Sequence, residues 1–103
     1  MASGRRRYRS RIQIAADILE IAMNGSRKTR IMYLGNLSFD LLQKYLDMLT
    51  SYDLIELRRD SDKSYITTEK GRHFLEDYRE LQEYSEMVEL KRRVLETSLA
   101  VRA

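Results

Sequence analysis

The chain of 103 residues contains no cysteine, no proline, no tryptophan and a single histidine. Without cysteine there is no disulfide and no thiolate-ligated zinc, and His73 alone cannot make a metal site. No nucleophile stands beside a base in the sequence and no glycine-rich phosphate loop is present, so neither catalysis nor a cofactor or small-molecule ligand is expected. No apolar run approaches the roughly 18 residues that a membrane-spanning helix needs, and the early arginines are not followed by an apolar segment. Neither a membrane span nor a secretory signal is therefore expected, and a cytoplasmic, nucleoid-associated location is the default.

What is present is enough apolar material, 43% of residues, for one modest core, together with 34% charged residues. The net charge of +3 hides an asymmetry. Arg5, Arg6, Arg7, Arg9 and Arg11 supply five cations within the first eleven positions, leaving fourteen cations against sixteen carboxylates, net −2, for the rest. Like charges repel and nothing apolar but Tyr8 interrupts them, so residues 1–11 read as a flexible basic arm suited to phosphates or, more plainly, as a solvated tail. Tyr8 is placed to stack on a base or lie against a sugar.

Ile14, Ile18, Leu19, Ile21 and Ala22 recur at helical spacing from about Ser10 to Met23, and Asn24-Gly25 supplies a stop. Ser26 is expected to cap a short second helix from Arg27 to about Tyr33, with Ile31 facing inward and Gly35-Asn36 ending it. Ser38 caps a third helix to about Ser51, whose buried stripe is Leu41, Leu42, Tyr45, Leu46 and Leu49. Ile55 to Arg58 and Ser64 to Thr67 form two short strands around the polar loop Arg59-Asp60-Ser61-Asp62-Lys63. Thr67 or Thr68 then caps a last helix from Glu69 to near Leu99. Tyr33, Tyr45, Tyr65 and Tyr78 fall among expected core positions, and His73 reads as a partly buried packing residue.

Helix, turn, helix, two-strand hairpin, helix is the order of a winged helix-turn-helix, a mainly α fold with a small β-hairpin, here spanning residues 12–78. On such a scaffold the outer face of the third helix meets DNA. Gln43 is able to bond adenine, Lys44 a phosphate or guanine, and Asn36 and Ser38 lie where helix N-terminal N–H groups attract phosphate. Lys28 on the second helix and Arg58, Arg59 and Lys63 of the wing complete the candidate contacts. Asp40 favours the helix dipole but repels a DNA backbone, and Asp60 and Asp62 dilute the wing's charge. A charged, solvated face is the plainer alternative.

The last helix is longer than a domain of this size needs. Phe74, Leu81, Val88 and Leu95 fall seven apart, with Tyr78, Ser85, Arg92 and Leu99 at the complementary heptad position and Tyr84, Met87 and Val94 beside them. Phe74, Leu75 and Tyr78 are expected to pack on the winged domain. From Leu81 onward the stripe has no partner in its own chain, so residues 79–103 are expected to form a two-stranded coiled coil with a second copy. Hydrophobic spacing leaves parallel and antiparallel arrangements open. Ser85 and Arg92 interrupt the seam in a way that restricts register.

The segments KTRIMYLGNLSFDLLQKYLDML and TTEKG, the short wing and the long terminal helix resemble the small archaeal winged-helix chromatin proteins, a family grouped with predicted archaeal transcriptional regulators. The resemblance runs from about Ile14 to Leu99. It implies a homodimer whose terminal helices form an antiparallel coiled coil with a winged domain at each end, the Asn36 to Lys44 region facing DNA. With a winged domain at each end of so long a rod, an architectural or regulatory role on duplex DNA is expected. Asp40 and the weight of N-terminal arginines depart from what the scaffold requires. The rival reading is a winged-helix docking module that binds protein rather than DNA, for which Asp40 and Asp47 are the best argument.

Overall fold

The computed structural model describes residues 9–59 and 63–100. Four helices and one hairpin follow in the order α1 (Arg11–Ile21), α2 (Lys28–Gly35), α3 (Phe39–Ser51), β1 (Ile55–Leu57), β2 (Tyr65–Thr67) and α4 (Glu69–Ala100).

Local signals start most of these elements. Ser10 accepts from the Gln13 N–H at 3.1 Å while Gln13 Oε1 accepts from the Ser10 N–H at 2.8 Å, a reciprocal cap for α1. Ser38 Oγ accepts from the Leu41 N–H at 3.2 Å and starts α3. Thr68, rather than Thr67, caps α4, its Oγ1 accepting from the Gly71 N–H at 3.0 Å and donating to the Asp53 carbonyl at 2.7 Å. The Thr67 hydroxyl instead donates to the Leu19 carbonyl at 2.6 Å, pinning the hairpin to α1.

Ser26 departs from its expected role. Its N–H donates to the Tyr65 carbonyl and its carbonyl accepts from the Tyr65 N–H, both at 2.8 Å, which makes it a one-residue third strand beside β2. Ser26 is therefore held extended one position too early to cap α2. The N-cap is Arg27, which makes no side-chain capping bond. At the other end α2 runs on to Gly35, and Asn36 takes the left-handed conformation (φ 54°, ψ 52°), which asparagine tolerates better than most residues.

β1 and β2 pair antiparallel with Ile55 opposite Thr67 and Leu57 opposite Tyr65. The Arg58 N–H to Ser64 carbonyl bond, 2.7 Å, extends the pairing toward the wing. Ile18, Leu19, Ile31, Leu42, Leu46, Leu49, Ile55 and Leu75 are fully buried and form one core drawn from the four helices and β1, with Tyr65 of β2 packed against it. Phe74 and Tyr78 pack on it from α4 as expected. Leu41 lies at its edge, only partly buried.

One aromatic residue, Tyr33, and the histidine, His73, lie elsewhere than the sequence suggests. Tyr45 is buried and Tyr65 and Tyr78 are half-buried, but Tyr33 is 83% exposed. Two positions on from the inward Ile31 is about 200° round a helix, which points Tyr33 to solvent. His73 is exposed, two positions before the inward Leu75, and its Nε2 lies 3.8 Å from Glu69 Oε2. α4 spans 32 residues, about 48 Å at 1.5 Å per residue, and every residue from Arg79 to Ala100 is exposed.

Candidate nucleic-acid interface

α3 turns its apolar stripe inward, which leaves Asp40, Lys44 and Asp47 exposed and Gln43 half-buried on the outside. The first turn of α2 crosses beside that outer face. Lys28 Nζ donates to Gln43 Oε1 and sits 4.8 Å from the centre of the Phe39 ring, a cation–π arrangement. Gln43 Nε2 in turn donates to Asp47 Oδ1 at 2.9 Å. One cation from α2 is thus held against the outer face of α3, and the Gln43 amide is fixed at both ends.

The other candidates distribute around this centre. Ser38 caps α3, and Asn36 carries the left-handed turn before it; both are exposed. Asp40 lies in the first turn of α3, where its charge favours the helix dipole. Arg58 and Arg59 follow β1, and Lys63 (φ 49°) precedes Ser64 on the far side of the wing; all three cations are exposed. Arg58 also meets the loop before α2, its Nη1 standing 3.7 Å from where a Cβ on Gly25 would lie.

The arm residues divide. Arg5, Arg6 and Arg7, with Tyr8, lie outside the described residues. Arg9 is committed to the domain: Nη1 is 2.7 Å from Asp17 Oδ2, and Nη2 donates to the Gly35 carbonyl at 2.9 Å and the Asn36 carbonyl at 3.3 Å. A cation at the C-terminal carbonyls of α2 is favourable to that helix's dipole, so Arg9 ties α1 to the end of α2. Arg11 is the first residue of α1, with its Nη2 3.4 Å from Met48 Sδ. The flexible arm expected over residues 1–11 therefore does not extend to Arg9 or Arg11.

Sequence reasoning passed over Phe39 and Arg30. Phe39 is 56% exposed at the start of α3 and serves as the platform for Lys28. Arg30 donates to Ser26 Oγ at 3.3 Å from the first turn of α2. The run Ser26-Arg27-Lys28-Thr29-Arg30, three cations in four residues at a helix start, was the signal available for it.

On α4, Leu81, Tyr84, Met87, Val88, Val94, Leu95 and Leu99 are all between 49% and 86% exposed. Met87, Val88, Arg92, Leu95 and Leu99 line one shallow groove, and Arg92 pairs with Glu89 at 3.8 Å. Ser85 and Leu81 line a second groove with Ile12 and Gln13 of α1, so the exposed stripe continues onto the winged domain. Leu90, 53% exposed, is a further apolar residue on this helix.

Comparison with known proteins agrees with this architecture. An uncharacterized protein of Methanocaldococcus jannaschii is 36% identical over 78 residues, covering 74% of this chain and 77% of that protein. The crystal structure of Sso10a-2, a DNA-binding protein from Sulfolobus solfataricus, superimposes with a TM-score of 0.80 at 24% identity, covering 91% of this chain and all of the other. The profile of the winged helix-turn-helix family matches residues 8–86, and with its hairpin, its capped α3 and its Ser26 strand in place, the chain belongs to that family.

Proposed function

We propose that the protein binds duplex DNA as a homodimer, through the α3 face and wing of each protomer, in an architectural or regulatory role without catalysis. The observation that carries the reading is the pairing of α2 with α3: Lys28 is held over Phe39 and against Gln43 on the outside of the helix that a winged scaffold offers to DNA. The Sulfolobus protein of the same fold is a DNA-binding protein, which supports the same assignment here.

Affinity in this reading comes mainly from phosphates, contacted by Lys28, Lys44, Arg58, Arg59 and Lys63 and by the arginines of the N-terminal arm, with modest base preference from Gln43 and Asn36. Dimerisation is assigned to residues 79–103. Burying a Leu or Val side chain is worth roughly 1.5–3 kcal/mol, so the exposed stripe from Leu81 to Leu99 favours a helix-to-helix partner of its own kind, with Ser85 and Arg92 restricting the register. The family resemblance implies an antiparallel coil. Winged domains at opposite ends of a rod of about 48 Å cannot reach half-sites one turn apart, about 34 Å, as a compact dimer does. They span a longer stretch of one duplex or bridge two.

Fluorescence anisotropy with two unrelated duplexes at two salt concentrations, with light scattering on the same samples, tests the reading. Similar affinities, a steep salt slope and a dimer mass are expected. A strong preference for one duplex replaces the architectural role with a site-specific regulatory one. Absence of binding at low salt overturns DNA binding in favour of a docking module.

A further inference from the structure

Beside the α3 face, the first turn of α2 opens onto a cleft of about 490 Å³. Gly25, Ser26, Thr29 and Arg30 form one wall, and Arg58 and Ser64 form the other. No carboxylate lines it among the described residues.

The cleft is built to receive an anion. The first i to i−4 bond of α2 runs from the Ile31 N–H to the Arg27 carbonyl, 3.0 Å, so the N–H groups of Lys28, Thr29 and Arg30 precede the helical ladder. No side chain of the N-cap accepts from them. They stand at the positive end of an eight-residue helix. Independently of the helix, Ser64 is only 9% exposed, faces into the cleft, and its hydroxyl has no hydrogen bond among the described residues. A buried hydroxyl without a partner costs stability, and it is normally found where a water or ligand completes it. Ser64 Oγ and Arg58 Nη1 both lie 3.7 Å from one point, the place a Cβ on Gly25 would occupy, so a hydroxyl and a guanidinium converge on the same corner. Arg30 is steadied across from them by its bond to Ser26 Oγ.

The geometry points to a phosphate site in this cleft, occupied by one backbone phosphate of duplex DNA, with Arg30 and Arg58 supplying charge, Ser64 a hydroxyl donor and the start of α2 its N–H groups. The inference rests on the DNA-binding reading above and places a contact between the two elements that reading uses. One wall is the root of the wing, and the other belongs to the helix whose Lys28 is bonded to Gln43 of α3. A duplex lying across α3 and the wing therefore passes over the opening. The donor set recognises phosphate oxygens in general, so inorganic phosphate is the competing occupant.

The test uses the isotopically labelled full chain, titrated in parallel with inorganic phosphate and with a short duplex, following the backbone amides of Gly25, Thr29, Arg30 and Ser64. The duplex is expected to move these amides together. Neutralising the cleft with Arg30→Gln and Arg58→Gln is expected to lower the salt slope of DNA binding by about one unit per protomer, as loss of one phosphate contact requires. Ser64→Ala, which keeps the charge, is expected to weaken binding several-fold with the slope unchanged. DNA binding that leaves these amides still and the slope of the double variant unaltered overturns the inference while leaving the proposed function intact. Saturable shifts with inorganic phosphate alone overturn the assignment to DNA. Failure of the unmodified protein to bind the duplex at all overturns the proposed function, and the inference with it.

Discussion

Lys28 and Gln43, fifteen positions apart in the chain, are joined by a hydrogen bond from ammonium to amide, and Gln43 passes its own N–H₂ to Asp47 at 2.9 Å. These two side chains of the proposed DNA-facing surface are therefore one unit. Removing either frees or misplaces the other, so their effects on binding are expected to be non-additive. Lys28→Ala and Gln43→Ala should each weaken binding to unrelated duplexes, and the double variant should lose less than the two losses together, with a coupling of about 0.5–3 kcal/mol. Anisotropy on two duplexes measures all four corners of the cycle. Strictly additive losses, or a Gln43→Ala variant that loses one duplex while keeping general affinity, contradict this arrangement and indicate a dedicated base reader.

Arg9 separates a structural cation from a DNA-binding one. Its guanidinium bridges Asp17 and the carbonyls that end α2, at 2.7, 2.9 and 3.3 Å, and the two side chains of the Asp17 pair are 31% and 43% exposed. A partly screened pair with two carbonyl bonds is worth on the order of 1 kcal/mol. Arg9→Ala is expected to lower the unfolding free energy by about that amount in urea, with the salt slope of DNA binding unchanged. A fall of one unit in the slope with unaltered stability places Arg9 on phosphate instead.

Gly71 is required by space. A Cβ there would stand 2.3 Å from the Leu54 carbonyl oxygen, which is backbone, and 2.6 Å from Cγ2 of the buried Thr67 side chain, so neither contact relaxes cheaply. The first turn of α4 packs directly on the residue preceding β1. Although alanine favours a helix interior, Gly71→Ala is expected to destabilise the fold by about 1–3 kcal/mol, the usual cost of overpacking. Denaturant midpoints at a fixed protein concentration provide the check, and a variant as stable as the parent shows that α4 can shift away from Leu54.

The features legible in the sequence are those set by neighbours along the chain. Leu42, Tyr45, Leu46 and Leu49 mark the inner face of α3 by spacing alone, and Ser10 and Ser38 cap helices through bonds to residues three positions on. The spacing of the apolar residues along α4 beyond Tyr78, all of them exposed on one continuous helix, is of the same kind. Ser26 defeats such reasoning because its partner, Tyr65, is 39 positions away, and the strand it joins exists only once the hairpin has folded against it. Residue type favours a packing role for Tyr33 and His73, but angular position decides against it: each lies two residues from the inward side chain of its turn. The Lys28–Gln43 bond and the cleft at Arg30, Arg58 and Ser64 are likewise tertiary. Each combines residues that are unremarkable in their own segments.

Leu95 tests the role of α4. It is 66% exposed, lines a groove with Met87, Val88 and Leu99, and makes no contribution to the winged core. A solvent-facing Leu in a lone helix tolerates lysine at a cost of a few tenths of a kcal/mol, whereas at a coiled-coil seam the same change places a charge in a desolvated contact. Leu95→Lys is therefore expected to leave the helical content and the fold of the winged domain in place while converting the proposed dimer to monomer by light scattering. Thermal unfolding should then lose its dependence on protein concentration. DNA affinity should fall as well, because two domains on one rod engage a duplex with an effective concentration that separate domains do not have. If the variant remains a dimer, the partner surface lies elsewhere on the molecule. If the parent protein is itself a monomer, the exposed stripe belongs to a different partner and the bridging geometry is withdrawn.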